Sequence, residues 1–227
     1  MTSSSQFRPP GPPSLDSEQY AADYNEVKEL GAASGSTRTA DQTEIASFWA
    51  DGAGTETPPG HWNSIAQIIA AAQGNTLEED SRLFALLNIA MADAAICAWD
   101  AKYTFHFWRP VTAINFAEPG LNWASFIVTP PFPDHVSGHS TFSGAAATVL
   151  PFFYGTDDLP FTIGSDSLPG VRSFPTCLDA AEEAAVSRLY GGIHFRSANE
   201  DGLQAGISIG EWTDSHYLRP KNNRSRR

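Results

Sequence analysis

The chain has 227 residues, 41% hydrophobic and 18% charged, with a formal net charge of −12. That length fits one domain, or one with a small extension, and can bury a real core. The acidic balance argues against a nucleic-acid surface, which needs local positive charge, and no run approaches the apolar length of a membrane span.

The N-terminus is polar and Pro-rich, without the basic-then-apolar pattern of a secretory signal. Residues 1–20 carry Ser3-Ser4-Ser5 and Pro9-Pro10-Gly11-Pro12-Pro13, which predicts an extended or disordered arm. A helical domain is expected over 21–218 and a basic, disordered tail over 219–227. Tyr20 to Leu30 reads as a short helix. Thr39 and Gln42 form a capping-box pattern ahead of Ile45, Phe48 and Trp49. Asp51-Gly52 ends that helix. His61 to Ala72 is the next, with Gly74 as its stop.

Thr76 and Glu79 form a second capping-box pattern. It opens the longest helix, from about Leu77 to at least Tyr103, apolar over much of its circumference and so expected to be central. Pro110 bounds it. Residues 115–136 read as a long, functional connection. Ser137 then caps an apolar helix from Ser140 to Phe153. Residues 154–176 are a second long loop. Asp179 to Glu182 starts a helix ending near Gly191-Gly192, and Ser197 to Glu200 opens the last. Strand signals are few, so the fold class is an all-α helical bundle. Cys97 and Cys177 match no metal spacing.

Three segments carry basic or helix-terminal groups suited to an oxyanion. The first holds Lys102 and Arg109, seven residues apart, which in one continuous helix would be roughly 10 Å of rise on nearly one face. Alone they read as solvated charges, but Trp99, Tyr103, Phe105, Phe107 and Trp108 imply burial, where Lys and Arg rarely sit unpaired. The second is Ser137-Gly138-His139 at a helix start, where free N–H groups favour an anion. The third is Ser187-Arg188 with His194. Taken singly, Arg188 reads as a salt bridge to Glu182 or Glu183, His194 as a structural histidine, and His139 as a plain helix-start residue. His61, His106, His135 and His216 receive structural readings, His135 the least firmly because it borders the site. Against a net charge of −12, three cations at one site would be telling.

The joint spacing Lys102-x6-Arg109-Pro110, Ser137-Gly138-His139 and Ser187-Arg188-x5-His194 resembles the signature of a known superfamily. It joins type 2 phosphatidic acid phosphatases with vanadium-dependent haloperoxidases. Phe48 to Gly52, Thr57-Pro58-Pro59, Trp99 to Lys102, Phe107 to Pro110 and Pro130 to Pro133 resemble the haloperoxidase branch. The resemblance implies that Lys102, Arg109, Ser137, Gly138 and Arg188 bind the oxygens of vanadate or phosphate. It implies His194 as the axial vanadium ligand, or as the nucleophile of a phosphatase. His139 matches the acid–base histidine, Asp51 the carboxylate that orients it, and Trp99 and Phe132 the halide pocket.

Two positions depart from the pattern. Val136 stands where the family has Pro, and Ala198 where it has an Asp four residues after the axial histidine. Ser197, Asn199 or Asp201 are the nearby substitutes, and Ala198→Asp would be expected to tighten vanadate binding. Members of this branch carry a further helical bundle upstream, so the chain fits a C-terminal portion of a longer protein. The implied function is a vanadate-dependent peroxidase using hydrogen peroxide, a halide and a small organic acceptor, with phosphate as a competing anion. An acid phosphatase is the alternative and an inactive anion-binding relative the third reading. Nothing in the sequence fixes the compartment or the oligomeric state.

Overall fold

The structure is a computed structural model that describes residues 1–219. The tail expected at 219–227 lies, apart from Arg219, outside the described residues.

Among the described residues there are eight helices and one short hairpin, a helical bundle as expected. Helix α1 (Glu18–Leu30) starts at Ser17, whose side chain accepts from the Tyr20 N–H. Helices α2 (Ala40–Phe48) and α4 (Leu77–Phe105) start on complete capping boxes, Thr39 with Gln42 and Thr76 with Glu79. Between them α3 (Thr57–Gln73) has proline in its first turn and stops at Gly74, in left-handed geometry with φ 71°. Then follow α5 (Pro110–Ala117) and α6 (Gly138–Tyr154), the latter capped by Ser137. Strands β1 (Phe161–Gly164) and β2 (Val171–Phe174) pair antiparallel, Phe161 opposite Phe174, inside the stretch expected to be loop. Helices α7 (Cys177–Tyr190) and α8 (Arg196–His216) complete the order.

Lys102 and Arg109 do not share a helix. Helix α4 stops at Phe105, His106 turns the chain at φ 50°, and a new helix begins at Pro110. Proline has no N–H to lose at a first helical position and keeps the preceding residue extended. Arg109 is accordingly the extended N-cap of α5, with φ −80° and ψ 156°.

Helix α6 runs through the middle of the bundle against α4, α7 and α8. Its approach to α8 is set by glycine. A Cβ on Gly206 would lie 2.3 Å from the Thr141 carbonyl oxygen, and one on Gly144 2.4 Å from that of Leu203. Only a residue without a Cβ lets the two backbones come this close.

The expectation about membrane-length segments is corrected. Leu77–Ala117 contains a window of mean hydropathy 1.5, long and apolar enough by composition to cross a membrane. The helix is apolar because it is a core element: Leu83, Leu86, Leu87, Ala90 and Ala94 are buried in the main cluster. Arg8 is bonded to Asp100 of the same helix, and Phe7 lies edge-on to Trp212 of α8 at 5.9 Å. Cys97 and Cys177 are both buried and unbridged.

Candidate anion site

Residues 118–137 join α5 to α6, and two cations brace the last part of this loop. Lys102, fully buried near the end of α4, donates from Nζ to the carbonyls of Pro133 (2.9 Å) and Asp134 (3.0 Å). Arg109 donates from Nε to the Phe132 carbonyl (2.8 Å) and from Nη1 to the Ile193 carbonyl (2.6 Å). Its Nη2 is buried without a partner. The Arg188 side chain, on α7, is fully buried too. Its Nε meets Ser187 Oγ at 2.9 Å, but its outer nitrogens make only long contacts, 3.4 Å to the Ala46 carbonyl and 3.5 Å to that of Ala50. Glu182 and Glu183 do not pair with it. Glu183 instead binds Arg172 and Trp49.

Both histidines turn Nε2 toward a guanidinium. His194 Nε2 lies 2.9 Å from Arg109 Nη1, and His139 Nε2 lies 3.4 Å from Arg188 Nη1. Arginine stays protonated and has only donors to offer. The facing imidazole nitrogen must therefore be the unprotonated one. Burial, then the nearby guanidinium, holds each imidazole well below the usual histidine range, with Arg109 the leading charge on His194 and Arg188 on His139. Burial pushes Lys102 well below the usual lysine range, with Arg109 adding to it, and pushes Arg188 down to about 10.

Helix α6 begins at the same place. Ser137 N–H is taken by the Ala198 carbonyl at 2.9 Å, so its backbone amide is not part of an anion floor. The first-turn amides of Gly138 and His139 have no acceptor within the helix. A Cβ on Gly138 would lie 3.3 Å from the Trp99 ring, so the absence of a side chain brings this turn against the aromatic wall. Trp99 and Phe132 stand together with ring centroids 5.3 Å apart, and Lys102 Nζ lies 5.1 Å from the Phe132 centroid.

Asp51 is placed differently from the expectation. Its carboxylate is bonded to His61 Nδ1, at 3.1 and 3.2 Å, and not to His139. His61 is fully buried and stacked on Trp49 at 4.7 Å. The group of this segment that addresses His139 is the Ala50 carbonyl. Asp51 still contributes negative charge toward Arg188.

One residue was missed altogether. Asp134 is fully buried, with Oδ1 3.0 Å from His194 Nδ1 and 3.9 Å from Arg109 Nη1. The His194 contact is short but off the ideal donor direction, and neither carboxylate oxygen has an aligned hydrogen bond. Burial raises this carboxyl to about 7, with Arg109 and then Lys102 pulling the other way. In the sequence Pro133-Asp134 reads as turn chemistry. Only the fold brings it under the histidine that precedes α8. Of the substitutes considered for Ala198, Ser197 binds Asp23 through its N–H, Asn199 has no side-chain partner and Asp201 faces His135 at 3.6 Å.

The site thus gathers three buried cations, two imidazole acceptors and a helix start, with Asp134, among the described residues, as the one carboxylate in close contact. Such a donor set suits a multiply charged oxyanion, whose oxygens would satisfy Arg109 Nη2 and the loosely held Arg188.

Comparisons with known proteins agree with the sequence signature. A family model described as the VCPO second helical-bundle domain matches residues 82–223. Vanadium chloroperoxidase of Curvularia inaequalis is 28% identical over 257 aligned residues, covering 82% of this chain and 42% of the relative. The structure described as the first bacterial vanadium-dependent iodoperoxidase superposes with a TM-score of 0.83 at 35% identity, covering 95% of this chain and 54% of the other. The apo form of a bacterial vanadium-dependent chloroperoxidase shares the fold, with a TM-score of 0.80 at 19% identity, covering 95% and 53%. The chain spans about half the length of these relatives.

Proposed function

The chain belongs to the family of the VCPO second helical-bundle domain, and from that premise we propose that it carries a vanadate-dependent peroxidase site that oxidises halide with hydrogen peroxide. One observation carries the reading. His194 turns Nε2 to Arg109 at 2.9 Å, where Lys102, Arg109 and Arg188 are all buried, beside the Trp99–Phe132 pair.

Vanadate, when bound, supplies a Lewis acid that polarises peroxide without itself changing oxidation state. Lys102, Arg109 and Arg188 would hold its oxygens, with the Ser137 hydroxyl and the Gly138 amide. His194 would offer Nε2 to the vanadium, which requires the neutral ring that burial and Arg109 already favour. His139, also held neutral, can accept a proton from peroxide and return it later. Overall, peroxide takes two electrons from halide and one proton from solution, giving hypohalous acid and water. Trp99 and Phe132 form the apolar wall against which a poorly hydrated halide would wait. Lys102, near both rings, supplies the local positive charge.

An acid phosphatase would use the same His194 nitrogen as nucleophile, with His139 protonating the leaving group. The two readings part in a paired assay on the purified protein: peroxide- and bromide-dependent halogenation with added vanadate, and phosphate-ester hydrolysis without it. Halogenation is the expected result. Ester hydrolysis with no halogenation would assign the phosphatase. The inactive reading rested on Ala198, and Asp134 weakens that ground.

A further inference from the structure

The family pattern supports the axial histidine with a carboxylate one turn along the following helix, and here that position is Ala198. We propose that Asp134, on the loop before α6, is the positioning residue that fixes His194 with Nε2 free for an anion's central atom. The proposal rests on the vanadate-site reading above.

Three geometric facts carry it. Asp134 Oδ1 lies 3.0 Å from His194 Nδ1, on the opposite side of the ring from the Arg109 contact. Arg109 can only donate, so the proton of a neutral His194 belongs on Nδ1, facing the carboxylate. Asp134 is itself fixed, because Lys102 holds its carbonyl at 3.0 Å and its backbone N–H donates to the Phe107 carbonyl at 2.9 Å. Loop, cation and histidine therefore form one braced unit. The carboxylate reaches the ring from the loop side, where the family pattern would place it on the α8 side. A histidine ligand normally needs such a partner on its second nitrogen, and losing one typically costs about 10- to 100-fold in affinity.

A charge argument separates this role from a general effect on the pocket. Asp134 is the nearest negative charge to Arg109. Above a pH of about 7, the value to which burial raises this carboxyl, removing it makes the surroundings more positive, so it should strengthen the binding of any anion held by charge alone. Vanadate should behave in the opposite way, because it also needs an oriented His194.

The test uses Asp134→Ala and Asp134→Asn with two probes, inorganic vanadate and inorganic phosphate, their affinities measured by calorimetry without peroxide or halide. Expected for Asp134→Ala is a loss of roughly 10- to 100-fold in vanadate affinity, with phosphate affinity unchanged or higher. Asp134→Asn keeps an oxygen acceptor and should recover part of the loss. Independently, nitrogen NMR of the anion-free wild type should show the His194 proton on Nδ1. Equal losses for both anions, wild-type vanadate affinity in Asp134→Ala, or a His194 proton resting on Nε2 would each overturn the proposal. If Asp134→Ala does not fold, Asp134→Asn and the wild-type spectrum still decide it. Failure of the peroxidase reading would look different: wild-type protein that takes up vanadate but does not halogenate.

Discussion

The Ser137 amide donates to the Ala198 carbonyl at 2.9 Å, tying the start of α6 to the first turn of α8. Ala198 is fully buried, so any side chain larger than a methyl at that position is built into this junction. Asp134 already lies against His194 from the other side. Ala198→Asp is therefore expected to bury a second carboxylate with no cation assigned to it. It should lower stability by about 2–4 kcal/mol and leave vanadate affinity no better than wild type. Urea unfolding and calorimetry check both halves. A tighter-binding, equally stable variant would show that the α8 side can still carry the family's carboxylate.

His194→Ala and His139→Ala should differ in kind. Only His194 is proposed to reach the central atom of the anion, so its loss should abolish vanadate binding while leaving weak phosphate binding to the cations. His139→Ala should retain most of the vanadate affinity and lose roughly 100-fold or more in turnover, the scale of general acid–base assistance. Vanadate titrations of both variants decide this. A His194→Ala protein that binds vanadate normally would show that the axial assignment is wrong.

Phosphate should compete with vanadate, since the cations contact oxygens and not the central atom. Halogenation should fall as phosphate is raised and recover with added vanadate. Activity indifferent to phosphate at several millimolar, roughly the range of a weakly held anion, would mean that the two do not share a seat.

His135 predicts acid sensitivity. Burial, with Lys102 nearby, lowers its pKa from 6.5 to about 4, and the Pro10 carbonyl opposes the shift. Between those values the unfolded chain binds a proton that the folded chain refuses, so stability falls as pH drops from 6.5 toward 4. The full penalty is on the order of 3 kcal/mol. Asp201 lies 3.6 Å from the ring, is raised to about 6 and titrates in the same window with the opposite sign. His135→Gln isolates the histidine. Its unfolding free energy should fall less than that of wild type between pH 7 and pH 5. Parallel losses would count against His135 as the cause.

Gly206→Ala should destabilise the bundle by about 2–3 kcal/mol, because its methyl would meet the Thr141 carbonyl and push α6 away from α8. Thermal unfolding measures this. Gly35 is the contrasting case: it has a positive φ, 70°, and nothing within 4 Å of the would-be Cβ, so Gly35→Ala carries a conformational cost without a steric one.

Much of the helical order was legible because its signals are local. Both capping boxes form as read, and Gly74 stops α3 in the left-handed geometry that glycine supplies. Pro110 was read as a limit on α4, which does end before it, but not as the start of α5, since proline signals both. The hairpin Phe161–Phe174 escaped notice because four-residue strands leave too short an alternation. At the site, Lys102, Arg109, Arg188 and both histidines were singled out by their joint spacing, and the fold sets His194 against Arg109 and His139 against Arg188. Asp134 and the carbonyl partners of Lys102 and Arg109 were not, since those carbonyl contacts join residues 23 to 84 positions apart. Asp51 was matched by motif, and its bond to His61 depends on how Trp49 and α3 pack, which no spacing encodes.

The loop braced by Lys102 and Arg109 also sets a condition on what may occupy the seat. An incoming ion must draw those donors away from the carbonyls of Phe132, Pro133 and Asp134, or share them. An oxyanion presents oxygens in several directions and can answer several donors at once. A bromide or chloride ion is a single sphere and can answer only the few that converge on one point. The resting contacts therefore discriminate by shape. Halide should remain at the aromatic wall even when it is in large excess, and so should not block the seat proposed for vanadate.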